Sequence, residues 1–200
     1  MYSAFTIMRI TGGTLRSRAL RAPKGQATRP TTDRVREALF GILTSAGGVQ
    51  GARVLDLYAG TGALALEALS RGAASAVLVE SAREALAALR ANVAALDLED
   101  CAEIVAGDVA QALRRAACAG PFDLVFADPP WAKVDSGPPA AVLSDLARRG
   151  GIAPDGRVVL EHSARTPPLD VDGLVRLDTR RYGDTALTFY KPAILGALRQ

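Results

Sequence analysis

The chain has 200 residues, of which 49% are apolar and 22% are charged, as is typical of a globular domain that buries a sizeable core. No apolar run approaches the roughly 20 residues of a membrane-spanning helix, and the first residues lack the pattern of a signal peptide. Two cysteines without paired or metal-ligand spacing and a single histidine, His162, argue against a disulfide framework, a histidine metal cluster and a Ser-His-Asp triad. We therefore expect a cytoplasmic protein without a metal site.

Positive charge is concentrated in the first quarter of the chain. Residues 1–50 hold eight cationic and two anionic side chains. Their net charge of +6 leaves −3 for the remaining 150 residues, because the whole chain carries +3. Seven of the eight cations are arginine, whose planar guanidinium suits phosphate. A solvated basic loop is one interpretation, and a phosphate-binding arm is the one that we favour.

The sequence divides into three segments. Residues 1–30 are interpreted as a basic N-terminal extension. Its residues 9–30 have an extended, turn-rich pattern, in which a Gly-Gly pair and a Pro-Lys-Gly triplet predict a short hairpin. Residues 31–192 carry the periodic patterns of a folded domain, and residues 193–200 form a tail. The domain begins with a helix that Thr31 or Thr32 can cap and that a Gly-Gly pair ends.

From residue 52, strands alternate with helices. The predicted strands are ARVLDLYA, SAVLVE, AEIVAGD, FDLVFADPP and GRVVLEHS, and LVRLDTRRYGDTALTFYKP predicts a closing hairpin. Helical patterns lie between them, among them SAREALAALRANVAAL, with a Ser81-x-x-Glu84 capping box, and VAQALRRAACAG. Such alternation predicts an α/β fold with a mixed seven-stranded sheet that is mostly parallel, has a C-terminal antiparallel hairpin and carries helices on both faces.

The first of these strands runs into a glycine-rich turn. The sequence DLYAGTG begins at Asp56, and a helix follows it. Open α/β sheets bind nucleotide-like ligands at such a turn. The spacing Gly60-x-Gly62-x-x-Ala65 also fits the dinucleotide fingerprint, so a nicotinamide-dependent oxidoreductase stays an alternative. Asp56 would repel a pyrophosphate, however, and would suit a cationic ligand that bears an amino acid.

A carboxylate closes each of the first four predicted strands. These residues are Asp56, Glu80, Asp108 and Asp128. Glu80 can accept hydrogen bonds from both hydroxyls of a ribose, and Asp108 can reach an adenine amino group. A single acid in this position is commonly a helix N-cap. Four in succession favour a ligand site at the carboxyl edge of the sheet.

The fourth strand ends in Asp128-Pro129-Pro130-Trp131, which contains the only tryptophan of the chain. The two prolines restrict the backbone after the carboxylate. A lone tryptophan is commonly a core residue. Directly after Asp-Pro-Pro at a strand end, we favour a ring that stacks on a planar ligand.

These motifs together resemble the class I S-adenosylmethionine-dependent methyltransferases of the Rossmann-like fold. The Asp-Pro-Pro-aromatic tetrad is similar to that of enzymes that methylate exocyclic amines of bases. The string RPTTDRVREALF over residues 29–40, with RITGG from Arg9 and LEALSRG from Leu66, resembles the RsmD family of guanine-N2 methyltransferases acting on 16S ribosomal RNA. The resemblance runs from about Met8 to Pro192, and the first seven residues lie outside it.

The resemblance implies S-adenosyl-L-methionine as the cofactor. It implies the N2 amine of one guanine in 16S rRNA as the target, met within a partly assembled 30S subunit, and we expect a monomer. The cofactor-binding residues would be Asp56, Tyr58, Ala59, Gly60, Gly62, Glu80, Ser81, Asp108, Val109 and Asp128.

The catalytic motif implied by the resemblance is the tetrad at the end of the fourth strand. Asp128 and the carbonyl of Pro129 would hold the target amine, Pro130 would stiffen the turn, and Trp131 would stack on the base. The residues that contact RNA would be Arg9, Arg16, Arg18, Arg29, Thr31, Arg34 and Arg36. An adenine-N6 methyltransferase of DNA or RNA, the oxidoreductase and a non-catalytic RNA-binding module stay open as alternatives.

Overall fold

The structure, a computed structural model, describes residues 8–22, 32–115, 118, 120–130 and 138–193. The helices are α1 (Asp33–Ser45), α2 (Ala63–Ser70), α3 (Arg83–Ala95), α4 (Val109–Ala112) and α5 (Pro138–Arg148). The strands are β1 (Arg53–Leu57), β2 (Ser75–Glu80), β3 (Ala102–Ala106), β4 (Phe122–Ala127), β5 (Ile152–Ser163), β6 (Leu174–Tyr182) and β7 (Thr185–Pro192). None of the helices in this part of the chain is long and apolar enough to cross a membrane.

The strands form one seven-stranded sheet in the order β3-β2-β1-β4-β5-β7-β6. Strands β1 to β5 pair in parallel, whereas β7 is antiparallel to both β5 and β6. This arrangement confirms the predicted Rossmann-like class I methyltransferase fold. The carboxyl ends of β1 to β5 therefore share one edge of the sheet, and the β6–β7 turn lies at the same edge because Thr185 pairs with Ser163.

Alternation along the strands divides the core into two layers. Phe126 of β4 points to the layer that contains α1 and α2, where its ring centroid lies 5.8 Å from that of Phe40. Val125 points to the opposite layer, which α4 and α5 cover. Each fully buried side chain of this kind contributes about 1.5–3 kcal/mol through removal of apolar surface from water. The sheet is thus covered on both faces, as parallel sheets require.

Residues 8–22, which we call the arm, pack on the same face of the sheet as α1 to α3. One antiparallel bridge joins Arg9 and Ala19. Glu67 of α2 is fully buried and accepts hydrogen bonds from the backbone N–H and the hydroxyl of Thr11, at 2.7 and 2.8 Å, and from Nε of Arg71 at 2.7 Å. A buried carboxylate is tolerated because its acceptor sites are filled in this way.

Glycine allows the arm to approach α2 this closely. A Cβ atom at Gly13 would lie 1.9 Å from the carbonyl oxygen of Ser70, and one at Gly12 would lie 2.3 Å from the guanidinium of Arg71. The hydroxyl of Ser70 also donates to the carbonyl of Gly12 at 2.6 Å and accepts from the N–H of Leu15 at 2.9 Å. The Gly-Gly pair, which the sequence marked as a turn, is therefore also a packing surface.

Several predicted helix and strand boundaries were wrong. Strands β1, β3 and β4 end at Leu57, Ala106 and Ala127, before the predicted ends. The capping box at Ser81 does not form, because Ala82 is the N-cap of α3 and the N–H groups of both residues bind the carboxylate of Glu80 instead. Helix α4 ends at Ala112, so it is much shorter than predicted. Strand β5 begins at Ile152, before the predicted GRVVLEHS, because it already pairs there with the start of β4.

The start of α1 follows one of the two predicted alternatives. Thr32 is the N-cap, and its side chain accepts a hydrogen bond from the N–H of Val35. Thr31 lies outside the described residues. The helix ends at Ser45, just before the predicted Gly-Gly pair.

Candidate functional site

The glycine turn after β1 combines three residues with positive φ. Tyr58 has φ of 66°, Gly60 of 58° and Gly62 of 83°. This conformation favours glycine, and a non-glycine residue held in it is commonly found at functional sites. A Cβ at Gly62 would lie 2.5 Å from Cδ1 of Leu89 in α3, whereas a Cβ at Gly60 would meet no atom within 4 Å. Gly62 therefore packs against protein, and Gly60 faces open space.

Asp56 lies near the end of β1, is 1% exposed, and accepts a hydrogen bond at Oδ2 from the N–H of Ala65 at 3.2 Å. Since the N-cap of α2 is Gly62, which has no side chain to cap the helix, Asp56 supplies the acceptor for a first-turn N–H instead. Burial raises the pKa of Asp56 to about 7; the Ala65 hydrogen bond lowers it, and the nearby charge of Glu80 raises it.

Glu80 closes β2 and joins two turns at the carboxyl edge. Its Oε2 accepts from the N–H of Gly60 at 2.8 Å, and its Oε1 accepts from the N–H groups of Ser81 and Ala82, both at 2.7 Å. The predicted ribose acceptor is therefore also the residue that fixes the glycine turn. A carboxylate has about four lone-pair sites, so acceptor capacity is left for a ligand.

Asp108 and Val109 follow β3 and form the start of α4. Asp108 is exposed and caps α4, accepting from the N–H of Ala110 at 2.9 Å. Val109 is 5% exposed and belongs to the core layer on the α4 side. Three of the four strand-end carboxylates therefore hold backbone N–H groups, as the N-cap interpretation expects, and they do so at the edge where a ligand site was predicted.

Asp128 follows β4 directly, and its N–H donates to the carbonyl of Leu57 at 3.4 Å. Burial of its carboxyl group, then the charge of Glu161, then that of Asp56, raise the pKa of Asp128 well above its usual range. Pro129 is buried and Pro130 exposed. Trp131 lies outside the described residues, so its predicted stacking role stays a prediction.

Glu161 is an acidic residue of this edge that the sequence reasoning missed. It is 5% exposed near the end of β5. Because Ala127 pairs with Leu160, Asp128 and Glu161 are the next residues on adjacent strands. By strand alternation, Asp56, Asp128 and Glu161 all belong to the face that the arm and α1 cover. The signal was present, since the fifth predicted strand also carries an acid near its carboxyl end.

Four of the predicted RNA-contacting arginines are exposed. These are Arg9, Arg16, Arg18 and Arg34. The prediction that Arg36 contacts RNA was wrong, because its side chain is only 1% exposed. Its guanidinium donates instead to the carbonyl of Arg9 at 2.6 Å and to the carboxylate of Asp33 at 2.8 Å. A guanidinium enclosed in this way anchors the arm to α1. Arg29 lies outside the described residues.

The residues of this edge could hold a cationic cofactor. Open space lies beside Gly60, hydrogen-bond acceptors converge there, and the carboxyl groups of Asp56 and Asp128 have raised pKa values that a positive charge would lower again. In the part of the chain that the structure describes, no group of three or more His, Cys, Asp or Glu residues could hold a metal ion.

Known proteins resemble the chain over nearly its full length. A family model described as "Conserved hypothetical protein 95" matches residues 8–191. "Putative rRNA methyltransferase YlbH" of Bacillus subtilis is 34% identical over 186 residues, which cover 92% of this chain and 98% of that protein. "Ribosomal RNA small subunit methyltransferase D" of Escherichia coli is 43% identical over 124 residues, 62% of this chain and 60% of that protein. The chain belongs to the RsmD family of methyltransferases.

One solved structure supports this membership, and a more distant one shares the fold. "Putative methyltransferase yhhF" from Escherichia coli is 34% identical and superposes with a TM-score of 0.79, covering 92% of this chain and 97% of that one. A more distant structure, that of "SMU.776, a putative methyltransferase complexed with SAH", is 19% identical with a TM-score of 0.59, over 80% of this chain and 48% of that one. At that identity the likeness shows the fold alone.

Alanine at Gly62 should destabilise this RsmD-family protein more than alanine at Gly60. Both changes place a side chain at positive φ, which costs about 1–2 kcal/mol. Only Gly62→Ala also drives Cβ to 2.5 Å from Leu89, which adds about 1–3 kcal/mol of overpacking. Urea denaturation of the two variants measures the difference. Equal losses of unfolding free energy would contradict the packing role given to Gly62.

Proposed function

We propose that this chain transfers a methyl group from S-adenosyl-L-methionine to the N2 amine of a guanine in 16S ribosomal RNA. The observation that carries the proposal is the carboxyl edge of the sheet. There, Asp128 and Asp56 lie on adjacent strands beside a glycine turn that faces open space at Gly60. Family membership supports the reaction class, and the printed names of the relatives support ribosomal RNA as the substrate class.

The cofactor is assigned to the glycine turn. Asp56 would receive the cationic methionine part, Glu80 the ribose hydroxyls, and Asp108 the adenine amino group. Glu80 already binds the N–H of Gly60, so the ribose acceptor and the turn keep a fixed relation to each other. When bound, S-adenosylmethionine supplies an electrophilic methyl group on a sulfonium, and carboxyl groups nearby favour that positive charge.

Asp128 and the carbonyl of Pro129 would accept the two N–H bonds of the target amine. A guanine N2 amine is a weak nucleophile, because its lone pair is delocalised into the ring. Two acceptors held in a fixed geometry would orient that lone pair toward the methyl group of the cofactor. Positioning of this kind is a large contribution to catalysis. Asp128 accepts more strongly when it is ionised, and the positive charge of the cofactor would favour that form against burial and Glu161. As the N–CH3 bond forms, the S–CH3 bond breaks and leaves S-adenosylhomocysteine, and the amine proton passes to the ionised Asp128 or to water. The base must also leave its stack to reach this pocket.

The arm supplies the basic surface for RNA in this proposal. Arg9, Arg16 and Arg18 of the arm are exposed, as is Arg34 at the start of the neighbouring α1, and the arm packs on the same face of the sheet as Asp128. Phosphate contacts orient a nucleic acid without reading its sequence. We therefore expect recognition of the partly assembled 30S subunit, in which neighbouring ribosomal components shape the site around the target guanine.

Replacing Asp128 tests the proposed reaction. Asp128→Ala should lower methyl transfer to small ribosomal subunits by about a hundredfold or more, because one of the two groups that accept the amine N–H bonds is lost. Cofactor affinity should change little. Labelled methyl transfer followed by nucleoside digestion measures both rate and product. Asp155→Ala is the matched control, since Asp155 is exposed at the opposite end of β5. N6-methyladenosine as the product, or wild-type turnover by the Asp128 variant, would contradict the proposal.

Cofactor binding should depend on pH through Asp56. Its pKa of about 7 means that the neutral form prevails at lower pH, and a cationic amino group binds the ionised form. Affinity for S-adenosylhomocysteine, which keeps that amino group, should therefore be constant above pH 7 and fall by up to about tenfold per pH unit below it. Calorimetric titrations from pH 5.5 to 8.5 measure this. The slope should disappear in Asp56→Asn, and a slope that persists there would exclude Asp56 as its source.

Removing arm charge should change the salt dependence of RNA binding. The variant Arg16→Ala loses one exposed cation of the arm. The slope of log affinity against log salt should become shallower by about 0.7–0.9 for each lost phosphate contact. Filter binding to 16S rRNA over a range of salt concentrations measures the slope. Arg148→Ala in the last turn of α5 is the control, and an equal effect of that variant would show that the arm is not the RNA surface.

A further inference from the structure

Asn92 is a buried polar residue to which the proposed chemistry assigns no role. It lies in the third turn of α3 and is 1% exposed. A buried amide is costly unless its donors and acceptor find partners. The partners that Asn92 finds are the arm and the glycine turn.

One amide binds both segments. Its Oδ1 accepts from the N–H of Arg21 at 2.7 Å, and its Nδ2 donates to the carbonyl of Arg21 at 3.1 Å. The same Nδ2 donates to the carbonyl of Thr61 at 2.9 Å. Two carbonyls and one N–H around the amide leave a single orientation that satisfies it. Two of these hydrogen bonds hold the arm and one holds the turn, so the side chain of Asn92 links the two segments.

A second contact connects the same two segments. The hydroxyl of Thr61 lies 3.5 Å from the sulfur of Met8, at the start of the described arm. Thr61 stands between Gly60, which faces open space, and Gly62, which packs on α3. A shift of the Thr61 carbonyl would therefore change the backbone on both sides of it, where the cofactor is assigned.

The arm has another anchor that does not reach the turn. Ser70, at the end of α2, binds the backbone of Gly12 and Leu15, and Glu67 binds Thr11. A substitution at the α2 anchor would loosen the arm without touching its link to the glycine turn, whereas a substitution of Asn92 would break that link. The residues of the α2 anchor supply matched controls for any test of Asn92.

We propose that Asn92 is a positioning residue that couples RNA binding by the arm to cofactor binding by the glycine turn. The proposal rests on the proposed function and deepens it. RNA bound to the arm would fix the backbone of Arg21 in the position seen here. Asn92, which binds that backbone, would then keep the carbonyl of Thr61 in place. By thermodynamic reciprocity, the cofactor would then favour RNA binding by the same factor.

Two substitutions at one position test the proposal from the arm side. Arg21→Pro removes the N–H that Asn92 accepts, because proline has none. Arg21→Ala removes the same charge and keeps the N–H. Without RNA, Arg21→Pro should weaken binding of S-adenosylhomocysteine by about fivefold or more, whereas Arg21→Ala should leave it unchanged. Calorimetry measures both, and equal affinities of the two variants would overturn the proposal.

The coupling itself is measured by adding RNA. In the wild-type protein, small ribosomal subunits without the methyl group should tighten binding of S-adenosylhomocysteine by about fivefold or more. This factor should fall to about one in Asn92→Ala and persist in Ser70→Ala, which loosens the arm at its other anchor. Thermal melting checks that both variants are folded. A factor of one in the wild type, or its loss in both variants, would overturn the coupling.

The outcomes also separate this inference from the proposed function. Methylation of ribosomal RNA by the wild-type protein without any coupling would remove the inference and leave the function intact. No methylation of RNA would remove the proposed function. In that case the comparison of Arg21→Pro with Arg21→Ala still decides whether the arm supports the cofactor turn, since it needs no RNA.

Discussion

Helix α2 begins without a side-chain cap, and the site is built around that constraint. The left-handed backbone at Gly62 and its contact with α3 leave no room for a side chain there. The N–H groups of the first turn need an acceptor nonetheless, and Asp56 of β1 supplies one by binding Ala65. Glu80 does the same for the turn itself at Gly60. The carboxyl groups to which we assign a cationic ligand are thus the groups that hold the conformation of the turn.

Much of this edge could be predicted from the sequence because it depends on local periodicity. Apolar runs in the sequence predict β1, β2 and β4. Parallel pairing then brings the carboxyl ends of these strands to one edge of the sheet, irrespective of the other tertiary contacts. The strand-end acids were found for that reason. Their assigned contacts with cofactor and RNA stay predictions, since they concern molecules outside the chain.

The residues that sequence reasoning misplaced or missed have partners that no helix or strand periodicity specifies. Arg36 reads as a surface cation on a helix, yet the carbonyl of Arg9 and the carboxylate of Asp33 draw it inside. The pattern Ser81-x-x-Glu84 predicts a capping box, yet Ala82 is the N-cap of α3 and Glu80 binds the N–H groups of Ser81 and Ala82. Asn92 gives no local signal, because its partners lie 31 and 71 residues away. Buried polar groups of this kind follow from the assembled fold and from no short motif.

The cluster of carboxyl groups on one face of the sheet works against the stability of the ligand-free protein. Burial raises the pKa of Asp56 to about 7, above its value of about 3.9 in an unfolded chain. The neutral form is thus the one that the fold prefers, and the stability that it contributes is present at low pH and lost as pH rises through 7. Asp128, with Glu161 beside it, has a pKa raised in the same direction. A bound cation would offset this cost, so an arrangement that is unfavourable for folding alone becomes favourable once a positively charged ligand is included.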